Sequence, residues 1–324
     1  MRILFVTHNR IGDAVLSTGL LSWLAERHPG AAITVACGPA PASLFEAIPG
    51  VAQVHVMRKR RWAGHWFSLW RSCFGFWDLI VDLRGSALAY CLPARARRVL
   101  RPARSERHRV AHLADLFELD PPPSPHLSTR PSDDAEAERR LPAGGPLLAL
   151  GPTANWGGKQ WPAGQFATLA RELTQSGGLL PNARVAVFGA AGERAAAMPV
   201  LEALPSERRI DLVGALELPL AAACLKRADL YIGNDSGLMH MAAAVGVPTL
   251  GLFGPSREAL YAPWGTRTAH VRTDRSFAEI RHHPDYDYRQ SRSWMEDLPV
   301  ERVVAAACNL LQAPDRGRAE AASR

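Results

Sequence analysis

Short apolar runs alternate along almost the whole chain with longer segments whose apolar residues recur every three or four positions. The runs suit strands buried on both faces and the longer segments suit amphipathic helices. Their alternation predicts βαβ units and parallel sheets. Strands are predicted at 2–7, 32–37, 54–57 and 78–83, with helices over 13–28, 62–74, 85–91 and 108–119. The pattern breaks over 120–145, which carries Pro121, Pro122, Pro123, Pro125, Pro131, Pro142 and a Gly144-Gly145 pair. Proline fixes φ and has no amide hydrogen, so this stretch reads as a surface linker with a short helix at 133–140 and a domain boundary near Gly145. Strands then follow at 147–151, 184–189, 209–212, 230–233 and 249–253, with helices at 163–175, 193–203, 219–227, 236–245 and 300–311. The expected fold class is α/β: two Rossmann-like doubly wound domains over 1–145 and 146–312, then a frayed tail over 313–324. In such sheets ligands sit beyond the C-terminal strand ends, and two such domains point to a cleft between them.

The loops at those strand ends hold the candidate chemistry. Residues 233–240, GNDSGLMH, carry a strand through a small polar turn into a helix, with Asp235 or Ser236 as N-cap. Free N–H groups and the helix dipole make that start an anion site. Ser236 adds a hydroxyl, Gly237 admits a phosphate close to the backbone, and Leu238 and His240 follow within the first turn and a little beyond. The competing reading is a plain capped helix with His240 on its polar face, and the local pattern does not separate the two. After the first strand, Gly12 permits a tight turn and Asp13 is either a general base or an N-cap. A lone glycine there is no GxGxxG, which argues against a nicotinamide enzyme, and the absence of GxSxG argues against a hydrolase. In the loop GPTANWGGKQWP (151–162), Thr153 and Asn155 are candidate donors. Lys159 there is either a phosphate ligand or a solvated surface lysine. Glu193 opens another helix and either holds ribose hydroxyls or favours the helix start.

Composition narrows the class. The 324 residues are 47% hydrophobic and 21% charged, which excludes disordered, collagenous and coiled-coil chains. Five cysteines, Cys37, Cys73, Cys91, Cys224 and Cys308, form no CxxC and read as reduced thiols of a cytoplasmic protein without a disulfide or thiolate metal site. No run suits a spanning helix or a signal peptide. Residues 1–110 hold 16 Lys and Arg against 6 Asp and Glu, whereas the whole chain is only +7, so the first half is basic and favours an anionic partner. Arg58, Arg60, Arg61, Trp62, Trp66 and the aromatics to Trp77 suit the headgroup level of an anionic membrane, most rings inward and one or two tryptophans outward. A second cluster runs from Arg95 to Arg109, either binding acceptor phosphates or lining an exposed face. Charge alone also permits a nucleic-acid-binding module, but no nucleic-acid motif is present. Asp285-Tyr-Asp287 is formally a metal–diphosphate motif, yet no strand leads into it, and it reads as solvated loop.

Taken together, the run DSGLMHMAAAVGVPTLGLFGPS (235–256), RIGDAVLSTGLL (10–21), Lys159-x-Trp161-Pro162, DLIVDLRG (78–85) and AxLKxADLYIGND (223–235) resemble the ADP-heptose–lipopolysaccharide heptosyltransferases of glycosyltransferase family 9. The resemblance implies a GT-B fold, a nucleotide-sugar donor (typically ADP-heptose) on the second domain and an anionic lipid-linked saccharide acceptor on the first. The expected reaction is inverting, metal-independent transfer without a cofactor, by a monomer peripheral to the inner face of the cytoplasmic membrane that takes no nucleic acid. Asp13 then stands at the base position and Lys159 beside the leaving diphosphate. Thr153, Asn155, Glu193 and the loop Asp235, Ser236, Gly237, Leu238 and His240 stand at donor positions; Gly12, Arg58, Arg60, Arg61, Trp62, Trp66 and Arg84 face the acceptor or membrane. Gly19 departs from the family's usual proline, and the late loop near 275–296 lacks the cysteines often found there. A nucleotide-sugar epimerase of similar shape is the alternative enzyme.

Overall fold

The computed structural model describes residues 1–58, 64–102, 106–290 and 292–313. Contacts divide the chain into two units, Met1–Arg130 and Pro131–Arg324. In the first, strands β1 (Arg2–Val6), β2 (Ala32–Cys37), β3 (Val51–Val56), β4 (Trp77–Asp82) and β5 (Ala94–Val99) form a parallel sheet in the order β3-β2-β1-β4-β5. β1 and the middle of β4 are buried, as their apolar runs require; Ile3, Phe5, Leu20, Leu24, Ile33, Val35 and Val81 make the core of one face. The strand order reverses between β1 and β4, so the loops after these two strands define the ligand-binding end.

The helix predicted over 13–28 is two helices, α1 (Ile11–Leu16) and α2 (Thr18–Arg27). Two adjacent hydroxyls cause the break. Ser17 Oγ donates to Ala14 O at 2.7 Å and Thr18 Oγ1 to Val15 O at 2.7 Å, bending the backbone where the ladder would continue. Thr18 Oγ1 also accepts from His126 N, so residues 123–126 lie against the start of α2. A Cβ on Gly19 would sit 2.3 Å from Pro123 O, which explains why this chain has glycine there.

Helices α3 (Ala42–Phe45), α4 (Gly64–Ser72), α5 (Leu88–Cys91) and α6 (Arg109–Ala114) complete the first unit. Strand β5 was not anticipated, because its sequence ARARRV reads as a basic cluster. It is an edge strand. Arg97 is structural, its guanidinium donating to the carbonyls of Ala89, Leu92 and Ala94 and locking α5 onto the strand.

The second unit opens with helix α7 (Pro131–Arg140), ahead of the boundary expected at Gly145. The helix packs on α10 (Leu218–Leu225), burying Ala137 and Leu141, and Arg227 Nε donates to Leu141 O at 2.8 Å. Strands β6 (Leu147–Gly151), β7 (Arg184–Gly189), β8 (Arg209–Val213), β9 (Leu230–Asn234), β10 (Thr249–Phe253) and β11 (Thr268–Arg272) pair in the order β11-β10-β9-β6-β7-β8, with the reversal between β6 and β9. Helices α8 (Ala163–Thr174), α9 (Arg194–Ala203), α11 (Gly237–Ala244) and α14 (Val300–Gln312) follow the predicted positions. α12 (Glu258–Tyr261), α13 (Phe277–Arg281) and β11 are too short or too polar to show in the apolar pattern. The late loop 275–296 is ordered by rings: Trp294 is buried beside His283 and Tyr286, and Arg275 and Arg292 lie over its face. None of the five cysteines is bonded. Among the described residues no helix is long and apolar enough to cross a membrane.

Candidate functional site

At the first switch point, the loop after β1 leads into α1. Arg10 occupies the N-cap without a side-chain bond, and Asp13 lies at the third helical position, half-buried. Asp13 therefore does not cap the helix. Its carboxylate makes no hydrogen bond or ion pair to a described residue. Gly12 is helical, and the chain bends at residues 9–10 instead. His8 beside it is half-buried, with Nε2 buried and unpartnered. Burial drives its pKa down to about 4. The Asp13 carboxylate pulls the other way and the Arg109 and Arg84 guanidiniums reinforce the drop, so the imidazole is neutral near pH 7. Across the switch point Asp82, wholly buried at the end of β4, accepts from the amides of Arg84 (2.8 Å) and Ser86 (2.9 Å) and from the Ser86 hydroxyl. This turn aims Arg84 at Asn9, whose Oδ1 it reaches at 3.2 Å. His8, Asp13, Arg84 and Arg109 thus form one cluster of charge and imidazole. His8 lacks any motif that would have drawn attention to it, and Arg109 stood out in the sequence only as the last member of the basic cluster that begins at Arg95.

The second switch point is tied by Asn234, which is fully buried. Its Oδ1 accepts from Trp161 N at 3.0 Å and its Nδ2 donates to Pro152 O at 2.8 Å, pinning the loop after β6 to the end of β9. Gly151 and Gly233 are small because the Tyr231 hydroxyl lies against both; a Cβ on either would fall within 2.4 Å of it. On this frame Lys159 Nζ meets Asp235 Oδ2 at 2.5 Å, with the lysine a quarter exposed and the aspartate buried. The reading of Lys159 as a solvated surface lysine is thereby replaced by an ion pair. Trp294 N and Ser293 Oγ, both from the late loop, brace the Lys159 loop through Gly158 O and Gln160 O.

Ser236 stands at the N-cap of α11 but makes no capping bond, and its hydroxyl faces Tyr231 instead. The amides of Gly237, Leu238 and Met239 donate to no described residue. His240 is buried, not on a polar face, and Leu238 is half-buried. Thr153 and Glu193 meet: Thr153 Oγ1 donates to Glu193 Oε2 at 2.8 Å, and the same oxygen accepts from Ala190 N, leaving Oε1 without a described partner. Asn155 is exposed and joins none of these contacts.

Of the remaining candidates, Arg58 is exposed, while Arg60, Arg61 and Trp62 lie outside the described residues, as does the side chain of Trp66. The expectation that most aromatics of this stretch point inward is corrected. Trp77 is buried and Trp70 half-buried, but Phe67 and Phe74 stand out into solvent, because Leu69 and Cys73 take the inward face of α4. Asp285 pairs with Arg292 and Asp287 accepts from Arg289 N. Among the described residues no group of three or more His, Cys, Asp or Glu could hold a metal ion.

Two Rossmann-like parallel-sheet units of this kind make the GT-B architecture. The chain belongs to glycosyltransferase family 9 (heptosyltransferase), whose sequence profile matches residues 81–286. It is 27% identical over 311 residues to lipooligosaccharide heptosyltransferase 2 of Haemophilus influenzae, covering 84% of this chain and 88% of that one. It is also 27% identical to lipopolysaccharide heptosyltransferase 1 of Pseudomonas aeruginosa, covering 85% and 84%. Its fold is similar to the family 9 glycosyltransferase of Veillonella parvula (TM-score 0.79, 22% identity, 96% of this chain and 97% of that one). It is similar too to ADP-heptose lipopolysaccharide heptosyltransferase II of Escherichia coli (TM-score 0.72, 23% identity, 96% and 98%).

Proposed function

We propose that the protein moves a heptose from ADP-heptose onto an anionic, lipid-linked saccharide of the lipopolysaccharide core, with inversion at the anomeric carbon. The observation that carries the reading is Lys159, held on Asp235 directly before the open amides of α11. A cation beside a helix N-terminus suits the charge that gathers on a departing nucleoside diphosphate. The paired Thr153 and Glu193 present one free carboxylate oxygen for the ribose hydroxyls. The relatives named as lipooligosaccharide and lipopolysaccharide heptosyltransferases support the choice of sugar and acceptor.

Chemically, the acceptor oxygen attacks the anomeric carbon as its proton passes to the Asp13 carboxylate. The bond from that carbon to the diphosphate oxygen breaks, and ADP leaves with the electron pair. Lys159 and the α11 amides stabilise it, so the step runs without a divalent ion. Arg84 and Arg109, close to Asp13, suit an anionic acceptor. The basic charge of the first unit supports a monomer working on the inner face of the cytoplasmic membrane.

Asp13→Asn tests the scheme: turnover should fall by about 10²- to 10⁴-fold while the ADP-heptose Kd stays unchanged. Turnover near that of the unmodified enzyme would remove Asp13 as the base. Turnover should also persist in excess EDTA; its loss, with recovery on adding Mg²⁺, would replace the lysine-and-amide scheme with a metal one.

A further inference from the structure

Between α4 and α5 runs an open groove of about 630 Å³ lined by Phe67, Trp70, Ser86, Ala87, Leu88 and Cys91. That volume is in the range of sites holding one small molecule, and the lining is almost wholly carbon. Large apolar rings here stand in water: Phe67, on the groove wall, is 66% exposed, and Phe74, whose ring lies 5.1 Å from that of Trp70, is 62% exposed. Exposed rings clustered on one face mark a binding surface rather than the scatter normal on soluble proteins.

Charge says what kind of partner covers it. From Ala47 to Ser105 the only acidic residues are Asp78 and Asp82. Asp78 accepts from Arg2 N at 2.7 Å, and Asp82 is buried in its own turn. Arg71 lies one helical turn after Phe67 on the outward side of α4, and Arg58 and Arg95 are exposed on the neighbouring segments. Aromatic rings interleaved with arginines and free of carboxylates match an anionic amphiphile, with its chain in the groove and its phosphate among the guanidiniums.

The groove also has a fixed relation to the first switch point. Its wall at Ser86–Ala87 belongs to the turn that Asp82 ties to the end of β4, and that turn aims Arg84 at Asn9, four residues before Asp13. We infer that the α4–α5 groove is an acyl-chain site, which holds one hydrocarbon tail of an anionic lipid while that lipid's polar end reaches toward the Asp13 loop. The inference rests on the proposed lipid-linked acceptor but names a separate subsite.

The test uses the full-length protein and a phosphatidylglycerol bearing a photoreactive diazirine on one acyl chain, with the cross-linked peptides mapped by mass spectrometry. Labels should fall on 64–72 and 86–91. Ala87 is exposed, so Ala87→Phe plugs the groove without disturbing the core, and Phe67→Ser removes a wall. Each should cut labelling by about tenfold, the effect of leaving roughly two methylene groups in water. Both should leave transfer to a deacylated, water-soluble acceptor unchanged. Labelling scattered over the chain, or undiminished in both variants, overturns the acyl-chain site even where transfer is normal. A concentration-dependent dimer that Phe67→Ser dissolves, without lipid capture by the unmodified chain, assigns the face to a second copy and overturns it too. Failure of transfer with every acceptor, while labelling stays in the groove, would sink the proposed function and leave the subsite standing.

Discussion

His8 is half-buried, with its Nε2 buried and unpartnered near a carboxylate and two guanidiniums, and its pKa lies near 4 against 6.5 in an unfolded chain. Between those values the unfolded state binds the extra proton, so stability is complete above about pH 6.5 and falls as pH drops toward 4. Chemical denaturation at pH 7 and pH 4 should show a loss of about 3 kcal/mol from this group, and His8→Gln should remove most of it. An equal loss in both proteins would assign the acid sensitivity elsewhere. The Lys159–Asp235 pair makes a second prediction at this scale. Lys159→Met leaves a buried carboxylate alone and should lower unfolding free energy by about 2 kcal/mol, whereas adding Asp235→Asn should restore part of it. A double variant no more stable than the single one would show that the two side chains do not interact.

Among elements, the junction of α1 and α2 shows how local chemistry overrides period. Apolar spacing runs unbroken from 13 to 28, but Ser17 and Thr18 turn their hydroxyls onto carbonyls one turn back, and Pro123 and Ser124 lie over Gly19. Gly19→Ala should therefore destabilise by about 1–3 kcal/mol in a urea melt, although alanine is the better helix former. An unchanged or raised midpoint would mean the 123–126 segment yields freely. The strands that carry the two switch points were legible because each is an apolar run bounded by turn residues; β6, β7 and β10 match their predicted limits. β5 and β11 were not, since edge strands in contact with solvent carry arginine and threonine in place of the apolar run. The same limit applies to the site. Lys159, Asp235, Thr153 and Glu193 sit in strand-to-helix loops that the alternation marks. His8 and Arg109 join Asp13 only through tertiary packing, which no spacing along the chain records.

For the molecule as a whole, the division at Arg130 and Pro131 has a direct test. Helix α7 is sequestered by α10, so a fragment beginning at residue 131 should be more stable than one beginning at 146 by about 3 kcal/mol, with Ala137 and Leu141 as the buried difference. Equal thermal midpoints would return α7 to the linker. Charge sets a second property at this scale. Recruitment to anionic vesicles should weaken steeply between about 50 mM and 500 mM salt, since exposed arginines act through a field screened over roughly 10 Å. Strand β5 adds a consequence that concerns neighbours in a crowded cell. An unpaired strand margin ordinarily invites further strands, and through them fibrils. Here Arg95 and Arg98 point outward, so two copies approaching along this border repel one another. The residues proposed to meet an oppositely charged bilayer would therefore also guard the protein against polymerising on itself.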